Sequence, residues 1–165
     1  MECEFNGKKI KYEEGKIWLW RETSGNRTLN NPDWCELKGT IHKSTGYRHL
    51  GINKKKYLYH RVVYFLHNDD WDIHDSSMDN MIDHIDQDRL NNNIENLRVV
   101  THSQNQWNQD CRGYTFHKPS EKYVAQIMVN GKQNYLGYFE NEDDARNAYL
   151  NAKALHHRIP QATPE

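Results

Sequence analysis

A chain of 165 residues has room for one ordinary domain or two small ones, and its mean hydropathy of −1.09 leaves little apolar material for a large core. The net charge of −1 is not the strong basic excess typical of a nucleic-acid-binding protein, so charge permits such a partner without indicating one. The absence of a long apolar run and of a signal-peptide core excludes a membrane protein and predicts a soluble cytoplasmic one.

Residues 1–37 carry the least readable pattern of the chain. The β-forming run Lys16–Arg21 predicts a strand, in which Trp18 and Trp20 are expected to be core residues rather than DNA contacts. The segment Ser24–Asp33 is rich in Asn, Gly, Pro and Ser and therefore predicts a loop. We interpret residues 1–37 as a strand and loop extension without an assigned role.

The three cysteines give no metal or disulfide pattern. Cys3, Cys35 and Cys111 lie far apart and form no CxxC pair, so we expect three reduced thiols.

Residues 38–67 predict a small sheet followed by a helix. The expected elements, separated by turns, are strands 39–42, 47–53 and 56–59 and a helix over 60–67. His60 and Arg61 at the helix start have two interpretations: an exposed pair, or a phosphate contact through Arg61.

The segment 81–110 combines short strands, a polar loop and a helix. The predicted order is strand 81–85, polar loop 86–93, strand 97–100 and helix 101–110. Thr101 and Gln104 have the spacing of a capping box at the helix start.

Four side chains of this segment suit phosphodiester hydrolysis. Asp83 and His84 lie on the first strand, Asn96 precedes the second, and Asn105 lies one turn into the helix, so the fold can gather them around one point. Histidine can accept a proton from water near neutral pH, and carboxylate and amide oxygens suit Mg²⁺. An isolated Asp-His pair more often only begins a polar turn, so the interpretation rests on the whole set.

The stretches YLYHRVV (57–63), IDHIDQDRLNNNIENLRVVT (82–101) and SQN (103–105) resemble the HNH (ββα-metal) endonucleases of phages, including homing endonucleases encoded within introns. The resemblance covers 38–110 and implies a ββα-metal catalytic fold.

The resemblance also assigns roles to individual residues. It implies that Asp83 and Asn105 bind one divalent metal ion, Mg²⁺ or alternatively Mn²⁺, that His84 is the general base, and that Asn96 orients His84. Gln87 stands where the family often has Gly. The loop residues that would brace the turn are Asp86, Asp88, Asn91 and Asn92.

Residues 112–157 predict a second small module. Its expected elements are strands 114–117, 123–129 and 132–139 and a helix that begins after Asn141. Asn130-Gly131 is a strong hairpin signal. An apolar stripe along the helix is formed by Ala145, Ala148, Tyr149, Ala152 and Leu155.

This module resembles the AP2 DNA-binding domain in RG (112–113), YVAQI (123–127), YLGYF (135–139) and EDDARNAY (142–149). The resemblance implies that the sheet lies in the major groove of DNA. The expected DNA contacts are Arg112, Tyr114, Lys122, Gln126, Lys132 and Asn134. The alternative is a merely stabilising appendage. Residues 158–165 are expected to form a frayed tail.

Together these features predict an α+β protein in which a ββα-metal module cuts or nicks double-stranded DNA and a sheet-and-helix module helps to choose the site. Such an enzyme would be homing-like, a monomer or homodimer, and cytoplasmic in a bacterial host if phage-encoded. Its products would carry 5′-phosphate and 3′-hydroxyl ends. Two other functions fit the same residues: an inactive DNA-binding regulator with this fold, and an RNase.

Overall fold

A computed structural model describes residues 1–24 and 27–159, and the chain divides into two compact units, Met1–Val99 and Val100–Glu165. Sheets and three α-helices make up the described residues, in agreement with the expected mixture of both kinds of element. None of these helices is long and apolar enough to cross a membrane. From residue 160 onward, the predicted tail lies outside the described residues.

The first 36 residues form a four-stranded antiparallel sheet. Its strands, in spatial order, are β1 (Glu2–Phe5), β2 (Lys8–Glu13), β3 (Lys16–Ser24) and β4 (Arg27–Glu36). The predicted strand at 16–21 is confirmed. The loop predicted over 24–33 is wrong: apart from residues 25 and 26, which lie outside the described residues, this segment is strand. Pairing with β3 overrides the turn-forming composition, since it satisfies the backbone hydrogen bonds.

The two faces of the N-terminal sheet differ in burial. Ile10 and Ile17 are fully buried in the core of the first unit. Trp18 and Trp20, which we expected in the core, are only half-buried. Because successive strand residues point to opposite faces, burial of Ile17 turns Trp18 outward. There Trp20 makes an edge contact with Trp34, with ring centroids 5.4 Å apart.

A second antiparallel sheet and a helix complete this core. The elements are β5 (Thr40–Ile41), β6 (Arg48–Ile52), β7 (Lys55–Leu58) and α1 (Tyr59–His67). The predicted sheet and helix are confirmed with slightly shifted ends. α1 buries Val62, Val63 and Leu66 against residues of the two sheets.

The segment with the candidate catalytic residues follows α1 after a loop. It contains β8 (Met81–His84), a short 3-10 turn (Ile94–Asn96) and β9 (Leu97–Val100), and the two strands pair in a sheet of their own. Ile82 and Leu97 join the core of the first unit, so the core fixes both strands that carry the polar residues.

The second unit contains two helices and one sheet. Its elements are α2 (His102–Asn108), β10 (Tyr114–His117), β11 (Lys122–Val129), β12 (Lys132–Phe139) and α3 (Glu142–His156). The capping box of Thr101 and Gln104 is confirmed. The strands form an antiparallel sheet in the order β10-β11-β12, as predicted.

Helix α3 packs on one face of this sheet. Tyr149 and Ala152 contact Ile127, and Asn141 caps the helix by accepting a hydrogen bond from the backbone of Asp144 at 2.9 Å. Leu155, expected in the apolar stripe, is 60 % exposed because it lies in the last turn of the helix.

Candidate active site

The end of β8 buries two polar side chains. Asp83 is 5 % exposed and His84 is 4 % exposed, although both belong to a short strand beside a polar loop. Burial of charged and polar groups is costly unless each has a partner. The partners of these two residues therefore define what the site can do.

Asp83 is paired with a buried arginine. Arg98 on β9 donates from Nε at 3.0 Å and from a terminal nitrogen at 2.8 Å, both to Oδ2 of Asp83. Arg98 is itself only 5 % exposed. The ion pair compensates the carboxylate charge within the core, and both arginine hydrogen bonds use the same carboxylate oxygen.

The ring of His84 is oriented by Asn92. Its Nε2 lies 3.1 Å from Oδ1 of Asn92, whose Nδ2 donates to the carbonyl of Leu90 at 3.0 Å. The second bond fixes which end of the amide is oxygen. Because an amide oxygen only accepts, Nε2 of the neutral ring carries the hydrogen and Nδ1 carries the lone pair. This is the tautomer in which Nδ1 is the basic nitrogen.

Sequence reasoning gave this orienting role to Asn96, and the described hydrogen bonds give Asn96 other partners. Its side chain accepts from the backbone N–H of Asp86 at 3.0 Å and donates to the Asp86 carboxylate and the Asn91 carbonyl, each at 2.8 Å. The backbone carbonyl of Asn96 also accepts from Ile85 N–H at 2.9 Å. Asn96 therefore closes the loop between the strands, because it ends the 3-10 turn opposite the loop start.

The loop is closed by a network centred on Asp86. Its carboxylate accepts hydrogen bonds from Asn91, Asn96 and the backbone of Asp88, and these bonds lower the pKa of Asp86, the Asn91 bond most strongly. The bracing role expected for Asp86, Asp88 and Asn91 is confirmed. Gln87 adopts the left-handed conformation, with φ of 67°. That conformation explains why a Gly is common at this point in related loops.

His60 and Tyr47 pack against His84. The rings of His60 and His84 meet edge to face with centroids 4.9 Å apart, and Tyr47 lies 5.2 Å from His60 and 6.0 Å from His84. His60 is 4 % exposed, and its Nδ1 has no hydrogen-bond partner among the described residues. Burial lowers the pKa of His60 to about 3, helped by the charges of His84, Arg61 and His49.

Arg61 is held by the loop that follows α1. Its guanidinium donates to the backbone carbonyls of Ile73, Asp75 and Asn80 at 2.8, 2.8 and 3.1 Å, and it lies 4.6 Å from the ring of Trp71. The expectation of an exposed pair is wrong for His60, which is buried. Both terminal nitrogens of Arg61 hold the loop after α1, and the phosphate contact through Arg61 stays a prediction.

The donor chemistry of Asp83 fits a divalent ion, since a carboxylate is a hard oxygen ligand. Asn105, the other expected ligand, lies half-buried on α2 in the second unit, where its N–H donates to the Thr101 carbonyl at 2.9 Å. Within the described residues there is no group of three or more His, Cys, Asp or Glu that could hold a metal. The predicted ligand pair, Asp83 and Asn105, contains only one residue of these four types. The absence of a cluster of three therefore does not test the predicted pair.

The register of the second sheet sorts the expected DNA contacts onto two faces. Lys132 and Asn134 pair with Val129 and Ile127, which point toward α3, so their side chains lie on the helix-packed face. The hydroxyl of Tyr114 donates to the carboxylate of the first residue of α3 at 3.1 Å. These three residues therefore do not belong to the open face.

The open face carries the other strand residues. Gln126 pairs with Tyr135, which is 58 % exposed, and Lys122 pairs with His117. Lys122 also forms an ion pair of 2.7 Å with a neighbouring carboxylate. Arg112 is exposed beside the sheet. Tyr135 was not among the DNA contacts predicted from the sequence, because only the strand register shows which residues share a face with Gln126.

Comparison with known proteins shows which family part of this chain resembles. Residues 57–107 match the HNH endonuclease family model. This HNH segment contains α1, the paired strands β8 and β9, and the loop between these two strands. The resemblance to HNH endonucleases expected from the sequence is thus supported by a family-model match over this segment, and the AP2-like interpretation of residues 112–157 stays a prediction.

A relative extends the similarity beyond the HNH segment. The chain is 29 % identical over 130 residues to the "SPbeta prophage-derived putative HNH homing endonuclease YosQ" of Bacillus subtilis (strain 168), which covers 76 % of this chain and 70 % of the relative. No solved structure gives a significant match. The buried Asp83, His84 and His60 all lie within the HNH segment.

Proposed function

We propose that this protein is a metal-dependent endonuclease that hydrolyses phosphodiester bonds in double-stranded DNA, with His84 as the general base. One observation carries the proposal: His84 is buried next to Asp83 in the HNH segment, with its ring oriented by Asn92. A histidine held in one tautomer beside a hard oxygen ligand is the pair that metal-assisted hydrolysis requires.

The chain's own groups account for the proton transfer. His84 Nδ1 accepts the proton of the attacking water, and the ring becomes a cation that donates from both nitrogens. Asn92 Oδ1 stabilises this cation through the Nε2–H bond. Asn96 and Asp86 act as positioning residues, because they hold the loop that carries Asn92.

Asp83 would hold the divalent cation, and the resemblance adds Asn105 as the second ligand. When bound, the cation supplies stabilisation of the negative charge that develops on the phosphate and the leaving oxygen. Mg²⁺ suits two hard oxygen ligands, because it keeps several waters and substrate oxygens in its own shell. The Arg98 pair supports this assignment, since its two hydrogen bonds orient the Asp83 carboxylate inside the core.

The C-terminal sheet would help to select the site. Its open face combines Gln126, Lys122, His117 and the exposed rings of Tyr135 and Tyr138, side chains that suit contacts with bases and phosphates. For an AP2-like module, the proposed DNA contacts on the sheet are therefore this set instead of Lys132, Asn134 and Tyr114. The homing-like character is supported only by the similarity to the Bacillus subtilis relative, which is named as a homing endonuclease.

Cleavage of supercoiled plasmid DNA with Mg²⁺ tests the proposal. We expect the wild type to convert the plasmid and His84→Ala to be slower by about 10²–10⁴-fold, the usual contribution of a general base. His74→Ala is the matched control, because His74 is an exposed histidine of the same unit. The ratio of nicked to linear product also distinguishes single-strand from double-strand cleavage.

Three outcomes of this experiment would overturn the proposal. DNA binding without cleavage by either protein would favour an inactive DNA-binding regulator. Cleavage of RNA but not of DNA of the same sequence would favour an RNase. Equal rates for the wild type and His84→Ala would remove His84 from the reaction. For the second ligand, Asn105→Ala should raise the Mg²⁺ concentration needed for half-maximal cleavage.

A further inference from the structure

The segment between Glu36 and Asp69 contains no acidic residue, although the whole chain has a net charge of −1. It forms β5, β6, β7 and α1 of the first unit. Its seven basic residues are Lys38, Lys43, Arg48, Lys54, Lys55, Lys56 and Arg61. The nearly neutral total therefore conceals one stretch of strongly positive charge.

The sheet of β5, β6 and β7 turns one face to the core and the other to solvent. Leu50 is 1 % exposed, so its strand neighbours His49 and Gly51 point away from the core. The register pairs Gly51 with Lys56 and His49 with Thr40, which places these residues on the same open face.

This open face and the turn after β5 line a groove of about 670 Å³. Among the residues that the structure describes, its lining contains two lysines, Lys43 and Lys56, and two histidines, His42 and His49, but no Asp or Glu. Neither lysine forms an ion pair within the part of the chain that the structure describes. A groove with one sign of charge and no counter-charge of its own attracts a polyanion.

Gly51 is an independent sign of a ligand. It lies inside β6, its φ is not in the left-handed region, and a Cβ built on it would meet nothing within 4 Å. Neither backbone conformation nor packing explains a glycine that weakens a strand. Such a glycine often marks a place where a ligand or another backbone approaches closely.

The groove is connected to the candidate active site within the same unit. Arg89, from the loop that carries Asn92, donates to the Thr45 carbonyl at 2.7 Å and lies 5.0 Å from the ring of Tyr47. Tyr47 in turn packs against His84. The turn at one end of the groove is therefore held next to the catalytic histidine.

We propose that the groove on the open face of β5–β7, with Lys43 and Lys56 as its charged contacts, binds the phosphate backbone of duplex DNA and leads it to His84. This interaction surface rests on the proposed endonuclease function for its partner. The groove provides a basic face on a chain whose net charge of −1 does not indicate one. The contacts are to phosphate, so they add affinity without adding sequence preference.

Salt-dependent DNA binding by the full chain tests the groove separately from catalysis. Binding to a labelled random-sequence duplex is measured by fluorescence anisotropy in EDTA, so that no hydrolysis occurs. We expect the double variant Lys43→Gln/Lys56→Gln to reduce the slope of log K against log salt by about 2, which is about 1 for each lost phosphate contact. The control is Lys8→Gln/Lys9→Gln, two exposed lysines of β2, and its slope should equal that of the wild type.

Gly51→Asp provides the second variant. The added Cβ meets no protein atom within 4 Å and the position is exposed, so the thermal midpoint should stay unchanged, while the added negative charge weakens DNA binding at least as much as in the lysine variant. An unchanged slope in the lysine double variant, an equal loss in the control, or no DNA binding by the wild type would overturn the inference. Plasmid cleavage is scored independently: a groove effect without cleavage refutes only the nuclease, and cleavage without a groove effect refutes only the groove.

Discussion

At the scale of single residues, His60 shows how burial changes what a titratable group does. Its imidazole is enclosed by Tyr47 and His84, and burial holds the pKa at about 3, so the folded protein keeps the ring neutral. In the unfolded chain the same ring takes up a proton near pH 6.5. The unfolded state therefore binds more protons between these two values, and acid favours unfolding.

This difference predicts a pH-dependent stability. Between about pH 6.5 and pH 3, His60 should lower the free energy of unfolding by up to about 1.4 kcal/mol for each unit that the pH falls. Urea denaturation at a series of pH values measures the slope. His60→Phe, which keeps an aromatic ring but cannot titrate, should give a shallower dependence. His74→Gln, at an exposed position, should keep the wild-type slope, and equal slopes for all three proteins would contradict the prediction.

Candidate site residues could be selected from the sequence only where a motif marks them. Asp83 and His84 were identified because they stand together in the HNH pattern, and the structure buries both. Asn92 was not identified as the partner of His84, since three adjacent asparagines offer no local signal of which one faces the ring. Arg61 looked like a phosphate contact because its three carbonyl acceptors come from residues 12 to 19 positions further along the chain.

At the scale of elements, the loop between β8 and β9 depends on a strained position. Gln87 has φ of 67°, a conformation that costs a residue with a Cβ roughly 1–2 kcal/mol. Asp86 and Asn96 hold the loop closed around it through reciprocal hydrogen bonds. The bracing network therefore maintains a left-handed backbone conformation at Gln87 that is unfavourable for a residue with a Cβ.

Relief of this strain should stabilise the protein. Gln87→Gly removes the Cβ conflict and adds chain entropy to the unfolded state, so the net gain should be about 0.5–1 kcal/mol in the free energy of unfolding, measured with urea. Gln109→Gly is the control, because Gln109 is exposed with an ordinary φ of −67°. That control should gain nothing, and a Gln87→Gly protein that is less stable than the wild type would show that the side chain has another task.

Elements with strong local signals were predictable, and those formed by pairing across the sequence were not. The capping box of α2 and the Asn130-Gly131 hairpin, with φ of 52° and 73°, follow from short-range chemistry. Strand β4 was interpreted as a loop, because its composition is that of a turn and its strand state depends on pairing with β3. Strand pairing overrides the local turn propensity of such a segment, because the neighbouring strand supplies the backbone hydrogen bonds.

At the scale of the whole molecule, charge was misleading because it was averaged. The net charge of −1 adds the basic run between Glu36 and Asp69 to the acidic segments on either side of it, so the run is not visible in the total. Only the sheet pairing shows that residues of β5, β6 and β7 within this run share one open face. A count made between successive acidic residues would have found this run in the sequence.

The N-terminal sheet is the other feature that appears only in the whole first unit. Ile17 is fully buried in a core shared with residues of β6 and α1, and its N–H donates to the hydroxyl of Tyr59 at 3.2 Å. A strand so connected is part of the unit that carries His84, not an extension of it. The unfolding of residues 1–36 should therefore be cooperative with the unfolding of the HNH segment.

Ile17→Ala measures this connection. Removal of a fully buried branched side chain should cost about 2–5 kcal/mol in the single unfolding transition of the first unit, and plasmid cleavage should fall as the folded fraction falls. Ile41→Ala is the matched control, because Ile41 is 51 % exposed on β5 and should cost less than about 1 kcal/mol. A loss below 1 kcal/mol for Ile17→Ala, or a separate early transition with cleavage unaffected, would mean that the N-terminal sheet folds apart from the rest of the first unit.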